Sequence, residues 1–479
     1  MTENPTTANI TSVSEPSVPW WQSVLLCGLA GGMGWGIRGQ YGHESGAMMA
    51  GLLVSSVVAM LFLRGADGWG TVRAIAWCTV AIGFGGSETY GQTIGLTQNP
   101  YLIGNFSALS WGLIGLAIKG SLWIGFAGCF LGMGLSGVTY SRREMLAIVV
   151  AMPLLYAIGV RLINSPFDPA NQQLPAIYFS ETWDWKPDGE VKPRFEAWGG
   201  LFLAMIGLLI HCGVVRRDRL AARLGLAGLI GGGLGFPAGQ CLQANHAWNR
   251  PWYETGFLKS LDPHVNWWNM MEITFGGIMG ATLGFFVWKN RHLIRIPLPT
   301  VPAQAKIVDG FLFLIHVTLL LLSEFAGVAW VDALYGVGFC MGAIPLVACV
   351  QSQRWPFLLT MPILVLPIAG KTVRELVYKE SAISAFPGWL LYFVLPMCGT
   401  CLFSLYLIRL CEKGADGRAL GARLLMFGAW CFFLLNYAFF RFPWPWQEWT
   451  GRTPSGIIYL ICIGSLTIAA IRVSRRAPE

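Results

Sequence analysis

Apolar stretches of about twenty residues recur from Trp20 to Arg472, parted by short charged loops, and such a chain has few ways to fold. In lipid the backbone has no water to bond to, so each stretch must satisfy its own N–H and C=O groups, which a helix does alone. Only 12% of the 479 residues are charged, about half the ~25% of a soluble protein. The longest polar stretch, residues 164–197, is too short to fold by itself. The expected fold class is an all-α polytopic integral membrane protein with about fourteen transmembrane helices. The span at 108–138 is long enough to hold a short re-entrant piece (108–118) ahead of its crossing part.

The net charge of +8 resembles a nucleic-acid signal, but its distribution says otherwise. Arg64, Arg73, Arg142, Arg143, the Arg216–Arg219 run and the cluster around Lys289 and Arg291 fall on one face if every span crosses once. Basic loops mark the cytoplasmic side, which places both termini inside and the protein in the cell inner (plasma) membrane as a multi-pass protein. Loops 164–197, 243–267, 371–387 and 441–454 then lie outside; Lys371, Arg374 and Lys379 in the third run against the rule. Five regions follow. Residues 1–19, rich in Ser, Thr and Pro and without Lys or Arg, read as a disordered tail rather than a signal peptide. A glycine-rich transmembrane half (20–295) meets a Pro-rich cytoplasmic connector (296–306), and a second transmembrane half (307–472) ends in a cytoplasmic tail (473–479). Most of the twelve cysteines lie inside apolar spans, where a thiol behaves as a small hydrophobe; the Cys398-Gly-Thr-Cys401 pair is read the same way.

Within the first half, glycine-packed helices run three times into a Gly-Gln pair: GGMGWGIRGQYGHESGAMMAG (31–51), AIGFGGSETYGQTIGLTQN (81–99) and GGGLGFPAGQCLQANHAWN (231–249). A second glycine-rich segment follows each, as in IKGSLWIGFAGCFLGMG (118–134) and MEITFGGIMGATLG (271–284). Small residues let helix backbones approach closely in a membrane. All three Gly-Gln pairs fall on the outer face, so the copies are expected to be parallel repeats of glycine-rich helix pairs, each pair a turn.

Ionisable and amide side chains crowd these pairs. The first offers Arg38, Gln40, His43 and Glu44; the second Glu88 and Gln92, with Lys119 on the return helix; the third Gln240, Gln243, Asn245 and His246, with Glu272 on its return helix. Such groups are costly to bury in lipid, which makes them candidates for substrate binding or coupling. No HxxxH or HxxE spacing occurs, so no metal is expected, and no cofactor. Of the 22 Trp, ten crowd the outer loops at 183, 185, 198, 248, 252, 267, 268, 444, 446 and 449. They suit an interfacial belt or a stacking platform for a sugar ring.

Walker A, HExxH and GxSxG motifs are absent, which sets aside ATP hydrolysis and two hydrolase chemistries. The leading expectation is a membrane transporter (permease) for a small polar, sugar-like solute entering an extracytoplasmic-facing polar cavity, with the lipid bilayer and that solute as partners and no nucleic acid. The glycine faces leave a homo-oligomer open. The alternative is an integral-membrane enzyme acting at the outer leaflet on a lipid-linked or saccharide substrate, with Glu44, His43 and His246 as acid–base groups. A non-catalytic membrane partner in a complex is the third class.

Overall fold

The computed structural model describes residues 18–87, 90–296, 305–336 and 339–475. Local chemistry sets many of the helix starts. Asp67, Asn105, Ser141, Asp218 and Asn266 each accept from a backbone N–H three residues on, at 2.8 to 3.1 Å. They satisfy amides that have no partner inside the helix. The helices that follow are α3 (Gly68–Phe84), α5 (Phe106–Leu135), α6 (Arg142–Ile163), α8 (Arg219–Trp248) and α10 (Trp267–Lys289). The rest of this half comprises α1 (Trp20–Arg38), α2 (Ser45–Phe62), the short α4 (Gly91–Gln98), α7 (Trp198–Ile210, prolonged by a π turn to Val215) and α9 (Gly256–Leu261).

Six of these helices form a ring in chain order: α1 beside α2, then α3, α5, α8, α10 and back to α1. The ring is sealed by glycine. A Cβ on Gly31 of α1 would strike the Gly276 carbonyl of α10, and one on Gly232 of α8 would strike the Gly120 carbonyl of α5. Gly34 faces Ala50 of α2, and Gly134 of α5 faces Ala74 of α3. Without side chains between them, the backbones touch and dispersion contacts run the length of each seam. Aromatic side chains fill the interior: Trp35 packs on Trp123 and Phe275 with ring centres 5.0 and 4.4 Å apart, and Phe236 stacks on Phe275 at 4.8 Å. The α6–α7 hairpin lies outside the ring.

The second half contains α11 (Ala305–Leu321), α12 (Ala329–Gly336) and α13 (Phe339–Gln351). Next come α14 (Trp355–Leu358) and α15 (Leu364–Val373), joined by a π turn and continued by another to Lys379. A similar π turn joins α16 (Ala385–Trp389) to α17 (Leu395–Glu412), before α18 (Gly417–Phe439) and α19 (Thr453–Arg475). This half covers α2 and α3: α18 packs on both, α13 on α3 and α19 on α1.

Eleven helices among the described residues are long and apolar enough to cross a membrane, and none of those residues forms a strand. Large apolar side chains on the outer faces, such as Leu154, Leu162, Phe386 and Leu402, are exposed as lipid contact requires. The chain is an all-α, multi-pass membrane protein.

Three local features differ from the sequence reading. Residues 108–118 are no re-entrant piece: they belong to the unbroken thirty-residue α5. The short inserted helix is α4 instead. The third Gly-Gln pair is not a turn, because α8 runs through Gly239 and Gln240 to Trp248 in spite of Pro237. Proline is tolerated inside membrane helices where neighbours satisfy the freed backbone groups. Only the first pair sits in an inter-helix turn; Gly91 and Gln92 open α4. The tail 1–17 and most of the connector lie outside the described residues.

Candidate functional site

Helix ends gather at two ends of the bundle. At one, the C-terminal turns of α1, α3 and α8 meet the N-terminal turns of α5 and α10 and the whole of α4, and the candidate side chains collect here. Arg38 closes α1 and is 2% exposed; Glu272, in the second turn of α10, is 1% exposed. The Arg38 Nη2 donates to Glu272 Oε1 at 3.1 Å and to the Tyr90 hydroxyl at 3.0 Å, and its Nη1 lies 3.3 Å from His43 Nδ1. Its guanidinium lies over the indoles of Trp35 and Trp123, 4.8 and 4.9 Å from the ring centres. A cation desolvated against two indole faces and one carboxylate is stabilised by all three.

Glu272 is only half satisfied. Its Oε1 also accepts from Trp268 Nε1 at 3.2 Å, while its Oε2 is buried without a hydrogen-bond partner and faces Gly39. A buried carboxylate oxygen left unpaired costs free energy. The turn above the pair is open: Gly39 and His43 are exposed, whereas Glu44 is buried at the start of α2, where its side chain makes no capping bond. Gln40 reaches the other way; with its amide turned to suit its neighbours, its nitrogen donates to the Ile37 carbonyl at 3.1 Å and its oxygen accepts from both Nη atoms of Arg452 at 3.2 Å.

The structure sorts the other candidates into neighbouring networks. Lys119, fully buried, donates to Glu196 Oε1 at 2.7 Å and Thr93 Oγ1 at 2.9 Å, and Glu196 also accepts from the Ser180 hydroxyl and the Phe179 amide. Gln240 donates to Thr97 Oγ1 at 2.7 Å, and Trp248 Nε1 donates to the Thr97 carbonyl at 2.8 Å. Gln243 is buried with an unpartnered Oε1. His246 lies 2.7 Å from Asp262 Oδ1 and stacks on Trp267 at 4.7 Å, while Asn245, exposed, accepts from the Tyr253 hydroxyl. Gln92 ties the long 164–197 loop down, donating to the Lys192 carbonyl and accepting from the Arg194 amide. In that loop burial, and then the charge of Glu196, pushes the Tyr178 phenol up to about 12, so it stays a donor to the Arg194 carbonyl. Glu88 lies outside the described residues.

Helix α4 links these networks. Tyr90, at its N-cap, reaches Arg38; Thr93 holds Lys119, and Thr97 holds Gln240 and Trp248. Its outward face carries Gln92 and the loop. Among the candidates, then, His43 and Glu272 both touch Arg38; Lys119 and Gln240 bond to α4, and Asn245 and His246, in the last turn of α8, reach Tyr253 and Asp262 beyond it. Sequence reasoning missed Tyr90, Glu196 and Arg452. Each stands among other polar residues at the border of an apolar span, and that position is the one signal that could have found them. No protein-family model, no curated protein and no solved structure matches this chain.

Proposed function

We propose that the protein is a carrier for a small polar, sugar-like solute, with the Arg38–Glu272 pair as its coupling device and α4 as its outer gate. The observation that carries this reading is the buried pair itself, half satisfied and set beneath an open turn. A solute oxygen arriving through the Gly39–His43 turn displaces Glu272 from Arg38, and the released carboxylate takes up a proton. Binding and protonation are then linked through one ion pair.

In this reading the chain crosses the inner membrane fourteen times with both termini cytoplasmic. The pairs α1–α2, α3–α5 and α8–α10 are parallel repeats around an axis along the membrane normal. Support comes from the ring order, from the glycine seams, and from the side chains gathered at one end. The basic loops lie toward the other, where Asp218 meets Ser136 and Tyr140, and Arg142 meets Asp309. The enzyme alternative draws less support. His43 sits with Arg38, whereas His246 is held by Asp262 in the outer loops, so the acid–base groups are divided between two neighbourhoods.

The test begins with thermal-shift screening of the purified protein against sugars, amino acids and small organic acids, followed by uptake of the best hit into proteoliposomes. A pH gradient should drive accumulation, and Glu272→Gln should keep counterflow while losing the response to pH. If no solute shifts the protein, or uptake ignores both the gradient and the substitution, the carrier reading fails.

A further inference from the structure

Helices α17 and α18 follow one another in the chain, joined only by residues 413–416, yet they do not pack together. Both lean on α15 instead, and a groove is left between them. Phe403 of α17 reaches across it to stack on Phe427 of α18, with ring centres 4.0 Å apart. The groove holds about 800 Å³ of free space, a volume typical of ligand sites. Leu395 and Leu434 on its walls are exposed, so it opens sideways, onto faces that meet lipid. Among the described residues, Arg423 is the one charge that lines it.

Arg423 lies in the second turn of α18, about 9 Å from the helix start at 1.5 Å per residue. Its side chain turns back toward that start, as basic residues near a bilayer surface do. Nη1 donates to the Ala419 carbonyl at 3.1 Å and Nε to the Tyr406 hydroxyl at 3.3 Å. Nη2 has no protein partner among the described residues. From Arg423 to Leu435 the groove follows α18 for about 18 Å, close to the ~15 Å of hydrocarbon in one leaflet. A guanidinium at the head of an apolar channel of that length matches a phosphate with its acyl chains laid along the helix. The same end of the two helices carries Arg409, Lys413 and Arg418 against Glu412 and Asp416, and Asp416 is engaged by the Gly65 amide. That excess of positive charge favours a head of net negative charge over a zwitterionic one.

We propose that the groove between α17 and α18 is a binding site for an anionic glycerophospholipid. Its phosphate sits on Arg423 and its acyl chains run past Phe403 and Phe427 toward Leu434. The lipid supplies the contact that the two helices do not make with each other.

The test uses the full-length protein, delipidated in detergent and then given phosphatidylglycerol or phosphatidylcholine with identical acyl chains. Native mass spectrometry reads the lipid retained. Phosphatidylglycerol should bind at severalfold lower concentration than phosphatidylcholine, and Arg423→Gln should bring the two level. A Cβ on Gly399, in the groove wall, meets nothing within 4 Å, so Gly399→Phe puts a ring into the open space and should lose both lipids. Should that variant fail to fold, Arg423→Gln decides alone. Equal binding of the two lipids by the wild type would mean that the groove takes bulk lipid only, and would overturn the proposal. So would a preference for phosphatidylglycerol that either variant keeps, since the site would then lie elsewhere. A dimer in the same spectra that Gly399→Phe dissociates would put a second copy of the chain in the groove and would overturn it as well. None of these outcomes depends on whether the protein transports a solute.

Discussion

Glu272 and Glu44 stand at the same end of the ring but are tied to the fold in different ways. Glu272 neutralises a guanidinium that is 2% exposed, so Glu272→Gln strands a buried charge. Removing one partner of such a pair costs ~3–5 kcal/mol, and removing both costs far less. The melting midpoint of Glu272→Gln should therefore drop steeply, and that of Arg38→Met/Glu272→Gln should recover much of the loss; equal losses would mean that the two residues do not act as a pair. Glu44 makes no capping bond to α2, so Glu44→Gln should leave the midpoint close to wild type while abolishing proteoliposome uptake. Full activity in that variant would remove Glu44 from the site. Arg38 and Glu272 were legible in the sequence because an ionisable group inside an apolar span stands out against its neighbours. Their pairing was not legible: 234 positions separate them, and only the α1–α10 seam brings them together. Glu196 and Arg452 escaped notice because a charge just outside a span looks like any solvated flank.

At the scale of the helix, glycine decides which neighbours meet. Gly232→Ala forces a Cβ into the Gly120 carbonyl, whereas a Cβ on Gly464 of α19 meets nothing within 4 Å. The first substitution should destabilise by ~1–3 kcal/mol, as overpacking does, and the second should be neutral in the same melting assay. If Gly464→Ala were the more damaging, the seams would not be what holds the ring. The spans themselves were readable from apolar length, and several of their starts from Asp, Asn or Ser just ahead of them. Their ends were harder. Pro237 and the Gly-Gln pair both signal a break in α8, yet the helix continues, because packing on α5 and α10 outweighs local preference. Residues 108–118 make their apolar span longer than one crossing needs, which suggests an extra element; in the fold they are simply one end of a thirty-residue helix longer than the membrane is thick. The inserted α4 was hidden because eight residues with one short apolar patch carry too little periodicity to distinguish them from loop.

Across the whole molecule, orientation is the statement most open to direct measurement. With the exposed Cys241, Cys398 and Cys401 replaced, cysteines introduced in 164–197 and 243–267 should react with an impermeant thiol reagent from outside, and cysteines in 216–223 should not. The reverse pattern would turn the candidate site toward the cytoplasm. One further consequence concerns how the protein is made. Every residue of α2 is buried, and part of its cover is α18, whose Gly421 lies against Ala59 and Met60 and whose Gly417 amide bonds to the Ala66 carbonyl at 2.9 Å. During synthesis α2 leaves the ribosome some 370 residues before that cover exists, so a helix built for a protein interior must wait in lipid with its groove open. The ring can assemble early, but it stays uncovered until α18 has been made. Chains truncated before Gly417 should accordingly be cleared quickly by membrane proteases, and supplying residues 305–479 as a separate polypeptide should lengthen the half-life of the first half. In this protein the last helices act for the earliest ones as an internal chaperone that arrives late and never leaves.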